Sequence, residues 1–177
     1  MTVHQLTYVI PTRNRPHFLR RLLSFLTVHP PGGQILIADS SEPPYQHENE
    51  ALIDEFSSEV PLRYEFIDTD FVPKCVQALA LVDSPWVVFC ADDDFLIPAS
   101  VQSCVSFLAE NPDYSCAQGL MASILSFRGN RRDLIRGFSI EQDSAADRFR
   151  SMARFWFSTF YAVYPTPVLQ EGFRIAG

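Results

Sequence analysis

The feature that most constrains the fold is an alternation between short apolar runs and segments whose apolar residues recur at helical spacing. Strand-like runs that continue to be apolar on both faces are typical of a parallel sheet covered by helices on each side. Strands buried on one face only would alternate with polar residues. The predicted strands cover residues 6–10, 34–38, 62–67 and 86–91, and the predicted helices lie within 12–28, 46–57, 72–82 and 98–110. The sequence therefore predicts an α/β fold.

The pattern is less regular after residue 110. We predict a further strand at 114–120, an exposed basic loop at 128–137, a helix at 144–157 and a last strand at 158–165. Asn14 is the predicted N-cap of the first helix, because a short polar side chain there precedes Pro16. At 177 residues, the chain is expected to form a single domain.

Composition excludes several classes of function. A formal net charge of -7 is unsuited to a nucleic-acid groove, which requires clustered cations. The sequence contains neither a basic leader followed by an apolar segment nor an apolar stretch of membrane-spanning length, so a cytoplasmic protein is expected. The four cysteines have no C-x-x-C spacing and are expected to be reduced thiols in apolar settings.

Polar residues follow each of the first four predicted strands. Ligands of open parallel sheets bind beyond the carboxyl ends of the strands, so these residues are expected to converge on one site. They are Pro11 to Arg15, Asp39 and Ser40, Asp68 and Asp70, and Asp92 to Asp94.

Three consecutive aspartates follow the fourth predicted strand. If the chain stays extended there, Asp92 and Asp94 point to one side and Asp93 to the other. Two carboxylates on one side could share a Mg²⁺ or Mn²⁺ ion with substrate phosphates. The alternative is a solvated acidic turn that precedes the helix at Pro98.

Other phosphate-binding motifs are missing. The sequence has neither G-x-G-x-x-G after the first strand nor G-x-x-x-x-G-K-[ST] anywhere. A phosphatase with an aspartyl nucleophile stays open, because such enzymes also place acidic residues at strand ends.

The segments "YVIPTRNRPHFLRRLLSFL", "ILIADSS" and "SPWVVFCADDDFLIP", in this order, resemble the successive signatures of family 2 glycosyltransferases. The resemblance covers about residues 5–120. It implies a GT-A fold, a Rossmann-like, mostly parallel sheet flanked by helices, with a nucleotide-binding half at 1–120. Residues 121–177 would then form an acceptor-side portion that is incomplete at its C-terminus.

The resemblance implies roles for the first two strand ends. Pro11 and Thr12 would line the nucleotide pocket, and Arg13 or Arg15 would lie near the phosphates. Asp39 would accept hydrogen bonds from the base or ribose.

It also implies roles for the acidic triplet. Asp92 would approach the ribose and contribute to the metal site, and Asp94 would bind the metal that bridges the diphosphate. Asp93 could exchange roles with either of them. Lys74, the only lysine, begins a predicted helix and could contact phosphate or nucleotide, or could be an exposed solubilising residue.

The implied activity is transfer of a sugar from a nucleotide-diphosphate donor, UDP-sugar being favoured, to a saccharide or lipid-linked acceptor with Mg²⁺ or Mn²⁺. The arginines at 128, 131, 132 and 136 could contact acidic lipid, as peripheral membrane contact would require, or a polyanionic acceptor, but a solvated loop is the favoured interpretation. No acidic residue after position 110 is a convincing general base. A catalytically inactive sugar-nucleotide-binding module, and a nucleotidyltransferase or phosphatase on a related scaffold, are therefore the alternatives.

Overall fold

The computed structural model describes residues 5–127, 130–155 and 158–176, with the backbone alone described at 123–127, 130–136, 155 and 176. Strands and helices alternate along most of the described chain. In chain order they are β1 (Leu6–Thr12), α1 (Pro16–Val28), β2 (Gln34–Asp39), α2 (Pro43–Phe56), β3 (Leu62–Phe66), α3 (Phe71–Ala80), β4 (Trp86–Phe89), α4 (Pro98–Glu110), β5 (Met121–Phe127), β6 (Asn130–Arg136), α5 (Ala145–Phe155), β7 (Val163–Pro165) and α6 (Thr166–Ala176).

The main sheet has five strands in the order β3-β2-β1-β4-β7. β1 pairs in parallel with β2 on one side and with β4 on the other, so that Val9 lies between Leu36 and Phe89. β3 is parallel to β2, and β7 is antiparallel to β4. The predicted α/β fold with a mostly parallel sheet is confirmed.

Apolar side chains cover both faces of this sheet. One core cluster contains Tyr8 and Ile10 of β1 together with the buried leucines of α1. The other contains Val9 of β1 and Phe89 of β4, packed against residues of α3 and α6. Adjacent residues of β1 thus enter opposite clusters, which explains why its sequence is apolar without alternation.

The chain divides into two compact units. The first comprises Met1–Ala117 and Phe160–Gly177 and contains the five-stranded sheet. The second comprises Gln118–Thr159, in which β5 and β6 form an antiparallel hairpin and α5 follows. Whether the whole chain acts as one domain stays a prediction.

Several predicted elements after residue 110 were wrong. Residues 114–120 form no strand, and Ala117 makes only an isolated bridge to Val163. The predicted basic loop is largely strand β6, while Arg128 and Gly129 lie outside the described residues. Backbone pairing between β5 and β6 produces that strand, and a run rich in arginine carries no hydrophobic signal of such pairing. The last strand is confined to Val163–Pro165.

The predicted N-cap was also wrong. Arg15 occupies the N-cap position of α1, without a side-chain cap hydrogen bond. Asn14 has a φ of +56°, a left-handed conformation that asparagine tolerates better than most residues. Its side chain instead accepts a hydrogen bond from the Glu42 N–H (2.8 Å), and its own N–H donates to Ser41 Oγ (2.7 Å).

Within the described ranges, no helix has the length and hydrophobicity needed to cross a membrane.

Candidate active site

The site begins where the order of the sheet reverses. β1 connects to β2 on one side and lies beside β4 on the other, and ligands of open α/β sheets bind at such a switch point. Thr12 ends β1, and Asp92 lies three residues after β4. Thr12 Oγ1 donates a hydrogen bond of 2.7 Å to Asp92 Oδ2, and both residues are buried. The first and fourth strand ends are therefore directly connected.

Arg15 adds an ion pair to this connection. Its Nη2 lies 2.5 Å from Asp92 Oδ1, and its Nη1 donates to Asp93 Oδ2 at 2.9 Å. Burial raises the pKa of Asp92, while the hydrogen bond from Thr12 and the charge of Arg15 act in the opposite direction. The sequence prediction placed Arg15 near phosphates. In the structure it lies at the carboxyl edge, where it neutralises part of the acidic turn.

Lys74 is a buried residue that connects the ends of β1 and β2. Only 3% of it is exposed, so its interpretation as an exposed solubilising lysine was wrong. Its Nζ donates to the carbonyl oxygen of Thr12 (2.7 Å) and to Ser40 Oγ (2.8 Å). Desolvation lowers its pKa, partly opposed by the charges of Asp39 and Asp92. The residue fixes the backbone of the site and has little surface left to offer a ligand.

Asp39 is completely buried and its acceptor sites are occupied. Oδ1 accepts hydrogen bonds from the N–H (2.8 Å) and hydroxyl (2.5 Å) of Ser41, and Oδ2 accepts from Asn49 Nδ2 and Tyr64 OH, both at 2.9 Å. A carboxylate has about four lone-pair sites, so a hydrogen bond from a base or ribose would have to displace one of these donors. Burial, and then the hydrogen bond to Asp39, raises the pKa of Tyr64.

The acidic triplet does not continue the strand. Asp92 and Asp93 lie in a turn, and the Asp94 N–H donates to the Ala91 carbonyl at 3.2 Å. The extended geometry that would put Asp92 and Asp94 on one side is therefore wrong. The three side chains instead have different partners: Asp92 binds Thr12 and Arg15, Asp93 binds Arg15, and exposed Asp94 accepts a short hydrogen bond from the Tyr161 hydroxyl.

The first loop completes the edge. Pro11 is buried and pairs in register with Ala38 of β2, so it supports the loop from within the sheet. Arg13 is exposed, and its charge acts on Lys74. Among the described residues its guanidinium forms neither a hydrogen bond nor an ion pair, which makes it the more accessible of the two predicted phosphate contacts.

The structure joins Thr12, Arg15, Lys74 and Asp92 by hydrogen bonds and ion pairs. Asp68 and Asp70 follow β3, the strand beside β2, and Asp70 is the N-cap of α3 without a side-chain cap hydrogen bond. Sequence reasoning missed the donors around Asp39 and missed Tyr161. Tyr161 lies in the middle of the strand predicted at 158–165, and the sequence carried no signal that its hydroxyl would reach the acidic turn.

Mg²⁺ and Mn²⁺ usually take one or two protein carboxylates and complete their coordination with substrate phosphates and water. In the described part of the chain, no three His, Cys, Asp or Glu side chains converge as metal ligands. Asp94 is exposed and forms no ion pair with a described residue, and only its Oδ2 receives a side-chain hydrogen bond. Asp94 fits the cation best, whereas Asp92 has both oxygens engaged.

The family model for glycosyl transferase family 2 matches residues 7–173. The chain belongs to this family. This membership favours a glycosyltransferase over the nucleotidyltransferase and phosphatase alternatives. A comparison with curated proteins found no match.

Solved structures share the fold of this family 2 glycosyltransferase. S. aureus TarS 1-349 has a TM-score of 0.61 at 13% identity, over 95% of this chain and 49% of that one. TarS 1-349 in complex with UDP-GlcNAc has a TM-score of 0.61 at 14% identity, covering 95% and 47%. PcManGT, a mannosyltransferase from Pyrobaculum calidifontis in complex with GDP-Man and Mn²⁺, has a TM-score of 0.55 at 15% identity, covering 66% and 35%. The chain thus spans about half the length of the TarS structures, and the likeness establishes the GT-A fold.

Two of the acidic residues after position 110 lie in exposed ion pairs. Asp147 and Glu171 form exposed ion pairs with Arg150 and Arg174, at 2.7 Å each. Both carboxylates therefore carry surface charge that is balanced within their own helices.

Proposed function

We propose that this family 2 glycosyltransferase domain binds a nucleotide-diphosphate sugar, with UDP-sugar as the favoured donor, at the carboxyl edge of β1, β2 and β4. The observation that carries the proposal is the convergence of three strand ends on one hydrogen-bonded network. Thr12 contacts Asp92 through its hydroxyl and Lys74 through its carbonyl, and Lys74 in turn contacts Ser40.

The network leaves two groups with complementary charge at the edge. The exposed guanidinium of Arg13 can attract a diphosphate, and the exposed carboxylate of Asp94 can take a divalent cation. Bound there, Mg²⁺ or Mn²⁺ would stabilise the negative charge that develops on the departing diphosphate. Asp92 and Lys74 are already engaged with Thr12, Arg15 and Ser40, so they are expected to contact ligand little.

The acceptor is proposed to be a saccharide or glycolipid, and a cytoplasmic location and peripheral membrane contact stay predictions from the sequence. Transfer also needs a group that removes the acceptor proton. The described residues do not identify that group, so donor binding and sugar transfer are tested separately.

Donor binding can be measured by titration calorimetry with UDP, GDP and TDP, each with and without Mn²⁺. We expect one nucleotide to bind in a metal-dependent manner, and Asp94→Asn to abolish the metal dependence while metal-free nucleotide binding persists. Asp113→Asn is the matched control, because exposed Asp113 follows α4 at the end remote from the acidic turn. Absence of binding by all three nucleotides would refute the proposal.

Sugar transfer is then read from release of the nucleoside diphosphate in the presence of added acceptor glycans. Release that requires Asp94 supports an enzyme, and binding without release supports a sugar-nucleotide-binding module.

A further inference from the structure

The three aspartates of the acidic turn differ in how their charge is balanced. Asp92 and Asp93 both pair with the Arg15 guanidinium, at 2.5 and 2.9 Å. Asp94 pairs with no cation among the described residues, and its side-chain partner is the neutral hydroxyl of Tyr161. A neutral donor orients a carboxylate and leaves its charge uncompensated, whereas a guanidinium orients the carboxylate and also neutralises its charge. Asp94 therefore stays available to a cation.

Tyr161 is firmly placed for this contact. The ring of the preceding residue, Phe160, stacks on buried Phe89 of β4 with centroids 5.1 Å apart and an interplanar angle of 17°. The Tyr161 ring packs edge-on against Phe160 at 5.1 Å. Beyond Tyr161, Ala162 and Val163 are fully buried, and Val163 exchanges backbone hydrogen bonds with Ala117. The hydroxyl is thus carried on backbone fixed on both sides.

The contact also joins distant parts of the sequence. Tyr161 lies 67 residues after Asp94, on the segment that returns to the sheet to form β7 beside β4. Without the contact from this segment, the exposed Asp94 carboxylate at the end of the turn would have no side-chain partner among the described residues to orient it. Side chains that orient metal-binding carboxylates typically change metal affinity 10- to 100-fold when removed.

We infer that Tyr161 is a positioning residue that orients the Asp94 carboxylate to receive the divalent cation shared with the donor diphosphate. The inference rests on the proposed function, and it adds to it a residue outside the acidic motif. Tyr161 needs to touch neither the cation nor the sugar. Its hydrogen bond to Oδ2 restricts the rotation of the carboxylate, and no side chain of the described residues donates to Oδ1.

Tyr161→Phe tests the inference, because it removes the hydroxyl and keeps the ring that packs on Phe160. We expect the affinity for Mn²⁺, titrated in the presence of UDP and followed by the loss of the free Mn²⁺ EPR signal, to fall about 10- to 100-fold. UDP affinity measured without metal should stay unchanged. Far-UV circular dichroism and thermal unfolding verify that the variant is folded.

Tyr8→Phe is the matched control. Its hydroxyl also donates to an oxygen, the Pro31 carbonyl at 3.1 Å, but Tyr8 lies four residues before Thr12, about 13 Å along the strand. We expect it to lower stability and to leave Mn²⁺ affinity unchanged. Equal Mn²⁺ affinity in wild type and Tyr161→Phe, with wild type binding Mn²⁺ and UDP normally, would overturn the inference while leaving the proposed function intact. Failure of wild type itself to bind Mn²⁺ with any of UDP, GDP and TDP would overturn both.

Discussion

Thr12→Val tests whether the bond between β1 and the acidic turn is charge-assisted. The substitution keeps the shape of the side chain nearly constant and removes the donor that lies 2.7 Å from Asp92 Oδ2. Asp92 is 0% exposed, so water cannot replace the lost donor. A buried hydrogen bond to a charged group contributes about 1.5–3 kcal/mol, against about 1 kcal/mol for a neutral pair.

Thr7→Val on the same strand supplies the comparison. Thr7 and Thr12 are equally buried, each 2% exposed, but the Thr7 hydroxyl bonds to the neutral hydroxyl of Ser84 at 2.8 Å. At neutral pH we therefore expect Thr12→Val to lower the free energy of unfolding by about 1 kcal/mol more than Thr7→Val does. Urea unfolding followed by tryptophan fluorescence measures both.

The two variants should also differ in their pH dependence. The folded-state pKa of Asp92 is raised above its unfolded value, so between these two values the folded state binds more protons and stability falls as pH rises. The Thr12 hydrogen bond acts to lower that pKa, and its removal raises the pKa further. The deficit of Thr12→Val should thus be smallest near pH 4, close to the unfolded pKa of aspartate, and should grow as pH increases.

The deficit of Thr7→Val should not depend on pH in the same range, since its partner does not titrate. Equal, pH-independent deficits for the two variants would refute the charge-assisted bond. The connection between β1 and the acidic turn would then need another explanation.

Three further substitutions test the support of the site and the packing beside the sheet. Lys74→Met removes the ammonium that bonds to Thr12 and Ser40 and should lower the free energy of unfolding, measured in urea, by about 1–3 kcal/mol. The folded-state pKa of Lys74 is lowered, so the stability of the wild type increases as pH rises towards about 10.4. The stability difference between wild type and variant should therefore widen with pH, and a difference that narrows would contradict the buried ammonium. Gly33→Ala would place a Cβ 2.4 Å from the Leu6 carbonyl oxygen and should lower the free energy of unfolding by about 3 kcal/mol or more. Gly172→Ala, whose Cβ would meet nothing within 4 Å, should raise it by up to about 1 kcal/mol through the helix propensity of alanine in α6. Similar unfolding curves for the two alanine variants would show that β1 and the residue before β2 are not in close contact.

The sequence predicted the central fold well because its strands are buried on both faces. The apolar runs that end at Ile10 and Ala38 left little choice other than a parallel sheet, and β1 and β2 each extend only slightly beyond them. The region after residue 110 was predicted poorly, since β5 and β6 are stabilised by pairing with each other. Pairing between strands leaves a weaker trace in composition than burial does.

For the site, the sequence predicted the location but not the bonding of each side chain. Its location followed from the rule that strand ends converge, and Thr12 and Asp92 do meet. The state of each side chain could not be predicted, because it depends on partners far away in sequence. Asp39 is enclosed by donors from α2 and β3, and Asp94 is bonded to Tyr161.

The shared network also limits how such a domain can be recombined. Thr12 bonds through its hydroxyl to the loop after β4, and its carbonyl accepts from Lys74 of α3 and from the Ser40 backbone after β2. A chimera that exchanges the acidic loop alone would bring a carboxylate without its threonine, and one that exchanges the end of β1 alone would bring a threonine without its lysine. Exchange between related domains would therefore require moving these three segments together.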